Sequence, residues 1–236
     1  MKPEVVILQQ SSAAKEATGL TVIIDVFRAF TTAGYFFSGG AKTVMPVAGL
    51  QRAGKLKEDN PSYLLAAERC GEIVAGADLG NSPTETINAG LAGRTIIFST
   101  SAGTRGFEMA DKSDELLAAS FSNANAVIRY IQLRAPTTVS LVCMGHRDLR
   151  PSDEDTLCAS YIKNGLAGIY SSQQQIRDRL RASPDAAKFF NSDYTWAIEQ
   201  DFLLCTELDK FDFVMQYSLA NGLPRLSALN MSVSHD

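Results

Sequence analysis

The stretch Val22-Ile23-Ile24-Asp25-Val26-Phe27-Arg28 passes abruptly from apolar, β-branched residues to a carboxylate and an arginine. Short apolar runs that end in turn residues are typical of buried strands. Apolar residues then follow at helical spacing over residues 27–38, and Gly39-Gly40 is a typical stop signal for a helix. We therefore predict a strand over residues 21–25, a polar turn and a helix, which is the repeating unit of α/β folds.

Three further apolar runs end in the same way. The polar groups that follow them are Ser99-Thr100-Ser101, Ser120 with Asn123, and Gly145-His146-Arg147. In open α/β sheets, ligands bind outside the carboxyl ends of the strands. Carboxylate, arginine, hydroxyl and amide groups at those ends indicate a site for an anion together with a cation.

Strand and helix patterns alternate along most of the chain. Further strands are predicted over residues 5–9, 43–47, 63–67, 95–98, 116–118 and 138–143, with a last strand or two within 211–230. Further helices are predicted over residues 48–59, 103–110, 124–134, 152–170, 173–182 and 192–203, and Asn81 or Ser82 could cap a short helix at Pro83. The expected fold class is α/β, with a mixed sheet or sheets flanked by helices. We expect a single unit over residues 1–236, or two α/β lobes with the site between them and a boundary near 134–138.

The composition excludes several classes of function. The chain has 236 residues, of which 45% are hydrophobic, and 22 basic against 26 acidic residues give a net charge of −4. This charge disfavours nucleic acid and anionic membranes as partners. No apolar run approaches the roughly 18 residues of a membrane span, and no signal peptide is evident, so we expect a cytoplasmic protein.

Metal sites built on cysteine and histidine are not expected. The four cysteines are widely spaced without a CxxC pair, and the chain has only two histidines. These numbers argue against a zinc site and favour reduced thiols. Cys70, which lies among polar residues, is the one candidate for a reactive thiol.

Two acid–arginine pairs carry the strongest chemical signal. A carboxylate such as Asp25 at the end of a strand can bind Mg²⁺ or act as a nucleophile. Arg28, in the first turn of the next helix, offers a fork that fits phosphate or sulfonate oxygens. A structural N-cap Asp paired with a nearby Arg is an equally good interpretation. Glu68-Arg69 repeats the pairing, with a surface ion pair as its alternative.

Three other segments add polar groups. Asp78 and Asn81 could direct oxygens at one hard cation, or form an ordinary capped turn. Residues 99–105 combine hydroxyl and backbone N–H groups before a helix, which is typical of phosphate binding, although the GxxxxGK[ST] pattern is missing. The acidic run Asp153-Glu154-Asp155 is explained by the helix dipole, yet one of its members could face inward as a metal ligand.

Taken together, these segments resemble the 2-phosphosulfolactate phosphatase (ComB) family. The matching stretches are residues 25–32, 68–69, 76–83, 103–105, 120–123 and 154–159, and residues 201–205 are also similar. The chain departs from the family pattern at Ala102, where the family has Asn, and at Cys70, where Gly is usual. His146-Arg147-Asp148 replaces a more glycine-rich stretch.

The resemblance implies an α/β, ComB-like fold and Mg²⁺-dependent hydrolysis of 2-phospho-3-sulfolactate to 3-sulfolactate and phosphate. The implied partner is thus a small anionic phosphate ester. Self-association into a homo-oligomer is a second partner hypothesis that the sequence leaves open. The expected catalytic residues are Asp25, Arg28, Glu68 and Asp78. The expected metal ligands are Asp25, Glu68, Asp78 and Asp155, or a subset. The expected substrate-binding residues are Arg28, Arg69, Asn81, Thr100, Gly103, Thr104, Arg105, Ser120 and Asn123.

Within that hypothesis, Arg69 or Arg105 would bind the second anionic group of the substrate. Asp25 is either a nucleophile or a metal ligand. The DxDx[TV] pattern of aspartyl-phosphate enzymes is absent, because Val26-Phe27 follow Asp25, and this favours an activated water. The alternative is a non-catalytic protein that kept the pocket, lost turnover and binds a small polyanion.

Overall fold

The computed structural model describes residues 2–101, 104–146 and 149–231, which form a ten-stranded mixed sheet flanked by helices. The strands are β1 (Glu4–Gln9), β2 (Gly19–Ile24), β3 (Thr43–Pro46), β4 (Leu64–Arg69), β5 (Glu72–Ile73), β6 (Thr95–Ser99), β7 (Ser113–Ala119), β8 (Thr138–Cys143), β9 (Phe213–Ala220) and β10 (Leu223–Asn230). The helices are α1 (Ala29–Ser38), α2 (Leu50–Asp59), α3 (Pro83–Thr86), α4 (Arg105–Met109), α5 (Ala124–Arg134), α6 (Asp153–Leu166), α7 (Gln173–Arg181) and α8 (Glu199–Cys205). The predicted α/β class is confirmed.

The sheet contains two parallel groups joined by a hairpin. Its strand order is β1-β8-β2-β7-β9-β10-β3-β6-β4-β5. Strands β1, β8, β2 and β7 are mutually parallel, as are β3, β6 and β4. The β9–β10 hairpin pairs antiparallel with β7 on one side and with β3 on the other. The two parallel groups therefore run in opposite directions across the sheet.

Helix α1 is enclosed by this sheet. Every residue from 29 to 36 is buried, and a helix that is apolar all round belongs in a core. The buried residues packed in the same core come from strands of both parallel groups and from the hairpin: Ile23, Ala118, Met215, Leu226, Val44, Ile96 and Ala66. The sheet thus curves around α1 and fixes its position.

Helices α2, α5 and α6 cover the face of the sheet opposite to α1, whereas Phe107 of α4 packs in the same core as α1. Helices α5 and α6 pack against β2 and β8 in the largest core cluster, and Ala53 of α2 packs against β4 and β6. Residues 134–138 link α5 to β8, and β8 returns between β1 and β2. None of the helices in the described residues combines the length and apolar character needed to cross a bilayer.

Most predicted elements are confirmed to within a few residues, and Ser82 caps α3 with Pro83 at its first position. The helix predicted to reach residue 170 ends at Leu166, because Gly168 takes a positive φ and Ile169 N donates to Asn164 O in a C-terminal cap. The helix predicted over 192–203 begins only at Glu199. The 3₁₀ helix Ser11–Glu16 and the short strand β5 were not predicted from the sequence pattern.

Two glycines in helix interiors test how tightly α1 is enclosed. A Cβ added at Gly34 in α1 would lie 2.7 Å from the Phe211 ring, whereas one added at Gly54 in α2 would meet nothing within 4 Å. We expect Gly34→Ala to lower the free energy of unfolding by about 1–3 kcal/mol through overpacking. The matched control Gly54→Ala should raise it by about 0.5–1 kcal/mol. Urea denaturation measures both, and a stabilised Gly34→Ala protein would contradict the enclosure of α1.

Candidate active site

A cavity of about 90 Å³ lies where the segments that follow β2, β4, β6 and β8 converge. Its lining residues are Asp25, Phe27, Arg28, Glu68, Cys70, Gly71, Asn81, Thr100, Ser101, Gly145, His146, Glu154, Asp155, Lys188 and Trp196. Sites for drug-sized ligands measure about 300–1,000 Å³, so this cavity fits a small molecule. It brings together six sequence candidates: Asp25, Arg28, Glu68, Asn81, Thr100 and Asp155.

Asp25 follows directly on β2 and is buried. Its Oδ1 accepts a hydrogen bond from the backbone N–H of Ala29, at 3.1 Å, in the first turn of α1. In the described part of the chain no hydrogen bond reaches its Oδ2. Burial raises the pKa of Asp25 to about 8; the charge of Asp155 adds to this rise, and the Ala29 N–H opposes it. One oxygen of this carboxylate therefore remains available to a ligand.

Asp155 serves the backbone with both of its oxygens. Its Oδ1 accepts from Val26 N at 2.8 Å and its Oδ2 from Gly145 N at 2.9 Å. Burial raises its pKa, and the two N–H groups act in the opposite direction. The carboxylate thereby joins the turn after β2 to the turn after β8.

Glu68 does the same on the other side of the cavity. Its Oε1 accepts from Ser101 N at 2.7 Å, and its Oε2 accepts from Gly71 N at 2.7 Å and Ser101 Oγ at 3.2 Å. These bonds join the turn after β4 to the segment after β6. Cys70, in the turn after β4, is exposed and takes a φ of 57°, in the left-handed region that favours glycine.

Several buried oxygen atoms of the cavity have no hydrogen-bond partner among the described residues. They are Oε2 of Glu154, Oδ1 of Asn81 and Oγ1 of Thr100. Burial, followed by the charge of Asp155, raises the pKa of Glu154 well above its ordinary value. Buried polar atoms are normally satisfied by protein, water or ligand. These three atoms therefore mark where a bound group is expected.

No ready-made cluster of metal ligands is present. Within residues 2–101, 104–146 and 149–231, no three His, Cys, Asp or Glu side chains are grouped closely enough to hold a metal ion by themselves. The carboxylates share the cavity, but Asp155 and Glu68 already bind backbone N–H groups. Asp25 and Glu154 are the two with an uncommitted oxygen.

Arg28 is buried at the start of α1 and its partner is Asp201, not Asp25. Its Nη1 donates to Asp201 Oδ2 at 2.7 Å and to Trp196 O at 2.5 Å, and its Nη2 donates to Gly71 O at 3.1 Å. The other oxygen of Asp201 accepts from Ser82 Oγ and from Thr84. Asp201 thus ties α8, α3 and Arg28 together. Residue 201 stands out in the sequence only as part of a stretch similar to the family, because an ion pair between residues 173 positions apart leaves no local signal.

Lys188 is a cavity residue that the sequence analysis missed. It lies in the 3₁₀ turn Ala187–Phe190, with its Nζ 5.6 Å from the ring centre of Phe27 and 5.2 Å from that of Phe189. Burial lowers its pKa, and the negative charges of Glu154 and Asp25 oppose this. The only sequence signal was a lysine directly before two phenylalanines.

Asp78 lies outside the cavity, contrary to the expectation that it joins the ligand set. Its Oδ2 accepts from Leu65 N at 2.7 Å and from Lys57 Nζ at 2.8 Å, and the side chain is partly exposed. The carboxylate fastens the turn after β5 to the start of β4. We therefore leave Asp78 out of the site.

Ser120 and Asn123 also lie elsewhere, in a capping arrangement. Asn123 Oδ1 accepts from Ser120 N at 3.0 Å, and Asn123 Nδ2 donates to Ala118 O at 3.3 Å. Both side chains are completely buried. The sequence pattern correctly predicted polar side chains at the end of a strand, but the Asn123 side chain forms hydrogen bonds with the nearby backbone and does not reach the cavity.

The remaining candidates do not line the cavity either. Arg69 donates to Glu68 O, Ser99 O and Ser99 Oγ, Arg105 is exposed at the start of α4, and Thr104 is buried. Gly103 lies outside the described residues, as do Ala102, Arg147 and Asp148.

The Arg28–Asp201 pair gives a test of the site's framework. Asp201→Asn leaves the buried guanidinium without its counter-charge, and breaking a buried pair costs about 3–5 kcal/mol. The matched control in the same helix is Glu199→Gln, which removes an exposed pair with Arg181 that is worth about 0–1 kcal/mol. Urea denaturation should show a large loss of stability for the first variant and almost none for the second. Equal effects would contradict the role of Asp201.

Comparisons with known proteins agree on one family. The family model described as 2-phosphosulpholactate phosphatase matches residues 6–219. A "Probable 2-phosphosulfolactate phosphatase" of Bacillus subtilis is 32% identical over 211 residues, which cover 88% of this chain and 90% of the relative. A protein of the same name from Thermotoga petrophila is 34% identical over 214 residues, 86% and 89% of the two chains. Another from Symbiobacterium thermophilum is 39% identical over 158 residues, 66% and 67% of the two chains. The chain whose acidic cavity is described above belongs to the 2-phosphosulfolactate phosphatase family.

Proposed function

We propose that the protein is a Mg²⁺-dependent phosphatase that hydrolyses 2-phospho-3-sulfolactate to 3-sulfolactate and phosphate. The observation that carries the proposal is the composition of the one small cavity described above. Four carboxylates, two cationic side chains and three buried unpartnered oxygens line a space of about 90 Å³. A divalent cation and a small phosphate ester, bound together, complement this mixture of charges. The names of the relatives agree with this substrate.

The free oxygens of the cavity fit Mg²⁺. This ion prefers oxygen ligands and is usually held by one or two carboxylates, with water and substrate phosphate completing its shell. Asp25 and Glu154 each have an uncommitted oxygen, and Oδ1 of Asn81 is a further donor. These residues would hold the ion, while Asp155 positions the turn that carries Asp25 and Glu68 positions the segment that carries Thr100. A bound cation also offsets the cost of burying several carboxylates together.

Binding of the phosphoryl group falls to Arg28 and Thr100. An arginine has five N–H donors, and Arg28 uses three for Asp201, Trp196 and Gly71. Its remaining donors and the Thr100 hydroxyl would hold phosphoryl oxygens and stabilise the charge that they carry in the transition state. When bound, Mg²⁺ supplies a Lewis acid that polarises the phosphoryl oxygens. The absence of the DxDx[TV] pattern after Asp25 favours water as the nucleophile.

Removing either free carboxylate should abolish most of the activity. We expect Asp25→Asn and Glu154→Gln to lower kcat by about 100-fold or more, because each removes a charged oxygen that meets the cation. The half-saturating Mg²⁺ concentration should rise in both variants. Phosphate release from 2-phospho-3-sulfolactate, measured across a Mg²⁺ series, gives both quantities.

The matched control for this experiment is Asp78→Asn, since this carboxylate lies outside the cavity. It should retain activity within about twofold and lose at most about 1 kcal/mol of stability, as expected for a partly exposed ion pair. Wild-type protein that binds the ester but releases no phosphate at any Mg²⁺ concentration would refute the phosphatase proposal and support a polyanion-binding protein. Unchanged Mg²⁺ dependence in both carboxylate variants would refute the ligand assignment.

The raised carboxyl pKa values predict how stability depends on pH. Groups whose folded-state pKa is raised stabilise the protein below their unfolded pKa, near 4, and this contribution is lost as pH rises through the folded pKa, about 8 for Asp25. The Tm of the metal-free protein should therefore fall between about pH 5 and about pH 8. Mg²⁺ needs the ionised carboxylates, so its stabilising effect should grow over the same interval. Thermal unfolding with Mg²⁺ or with a chelator measures this, and Asp25→Asn should flatten the dependence. A Mg²⁺ effect that is equal at both pH values would contradict it.

A further inference from the structure

Lys188 lines the cavity but has no polar partner there. Among the residues that the structure describes, none forms a hydrogen bond or an ion pair with its ammonium group, which lies near the rings of Phe27 and Phe189. The side chain is only partly exposed. The charges of Glu154 and Asp25 act on this ammonium group without forming an ion pair with it, so its N–H donors remain available to an anion that enters the site.

The arginines that the sequence suggested for a second anion are engaged elsewhere. Arg69 donates to Ser99 and to the backbone of Glu68, and Arg105 is exposed outside the cavity. Arg28 is held by Asp201. Of the two described cations that line the cavity, Arg28 forms an ion pair with a carboxylate and Lys188 does not.

The surroundings of Lys188 suit one kind of anion. The carboxylates Asp25 and Glu154 share the cavity with Lys188, and they repel a bare anion and favour a cation with its bound phosphoryl group. The rings of Phe27 and Phe189 lie 5.6 Å and 5.2 Å from the Lys188 Nζ and supply no hydrogen-bond donor. A sulfonate spreads its charge over three oxygens and is weakly hydrated, so it tolerates an apolar wall better than a carboxylate does.

We infer that Lys188 binds the sulfonate group of the substrate and makes the site selective for sulfonated phosphate esters. This inference rests on the proposed function. In 2-phospho-3-sulfolactate the sulfonate is carried on the carbon next to the one that bears the phosphate. The acidic side of the cavity would hold the phosphoryl end with its cation, and Lys188 would hold the other end.

The test compares two esters that differ only in the sulfonate. Lys188→Met should raise KM for 2-phospho-3-sulfolactate by about 10- to 100-fold, as expected for the loss of a charge-assisted contact, with kcat changed by less than about threefold. KM for 2-phospholactate, which keeps the carboxylate and lacks the sulfonate, should change by less than about threefold. Lys188→Arg keeps the positive charge and should restore most of the affinity for the sulfonated ester.

Other outcomes overturn the inference. An equal loss on both esters would assign Lys188 to the phosphoryl group or the carboxylate, and unchanged kinetics on both would show that it binds neither substrate. Thermal unfolding of the variants shows whether they are folded, and Lys188→Gln provides a second neutral variant if the methionine variant is not.

Failure of the proposed function gives a different result. In that case wild-type protein releases no phosphate from either ester. Calorimetric binding of 3-sulfolactate, which needs no turnover, then still tests the inference. Binding that weakens about 10-fold or more in Lys188→Met supports the sulfonate contact, and equal binding by the two proteins refutes it.

Discussion

The enclosure of α1 by the sheet is the constraint on which the site depends. A helix that is buried over residues 29–36 has no freedom to shift or rotate, because strands of both parallel groups and the hairpin pack against it. The turn that joins β2 to α1 therefore has a fixed position, and Asp25 and Arg28 enter the cavity from that turn. The apolar packing of one helix determines where the charged groups lie.

The twist of the sheet explains why the ends of distant strands meet. The groups that contain β2 and β4 run in opposite directions, so in a flat sheet Asp25 and Glu68 would lie at opposite edges. Neighbouring strands twist by about 20–25°, and the six steps from β2 to β4 add up to about 120–150°. This accumulated twist turns the second group most of the way round. The carboxyl ends of both groups thus face one cavity. The rule that ligands bind at the carboxyl ends of parallel strands does not by itself predict this, because it does not treat two groups that run in opposite directions.

The sequence predicted what depends on local pattern. Apolar runs placed β2, β6 and β8 correctly, and the residues directly after them supplied Asp25 and Thr100. The sequence could not predict which polar side chains form hydrogen bonds with the protein's own backbone and are therefore not available to a ligand. Asn123 and Asp78 look like site residues in sequence, but each satisfies nearby backbone N–H groups. Lys188 reaches the cavity from a turn about 160 residues after Asp25, and no local pattern encodes that approach.

The carboxylates of the cavity divide into two kinds, and this division gives the site its character. Asp155 and Glu68 each accept hydrogen bonds from backbone N–H groups of two segments, and these bonds fix the positions of the segments that line the cavity. Asp25 and Glu154 each have an oxygen that is available to a ligand. Burial and the nearby charge of Asp155 make their ionised forms unfavourable and raise their pKa values. Burial raises the pKa of both carboxyl groups and lowers the pKa of Lys188, and the attraction between their opposite charges offsets these shifts only in part. A cation and a polyanionic ester that bind together relieve both costs at once, which neither does alone.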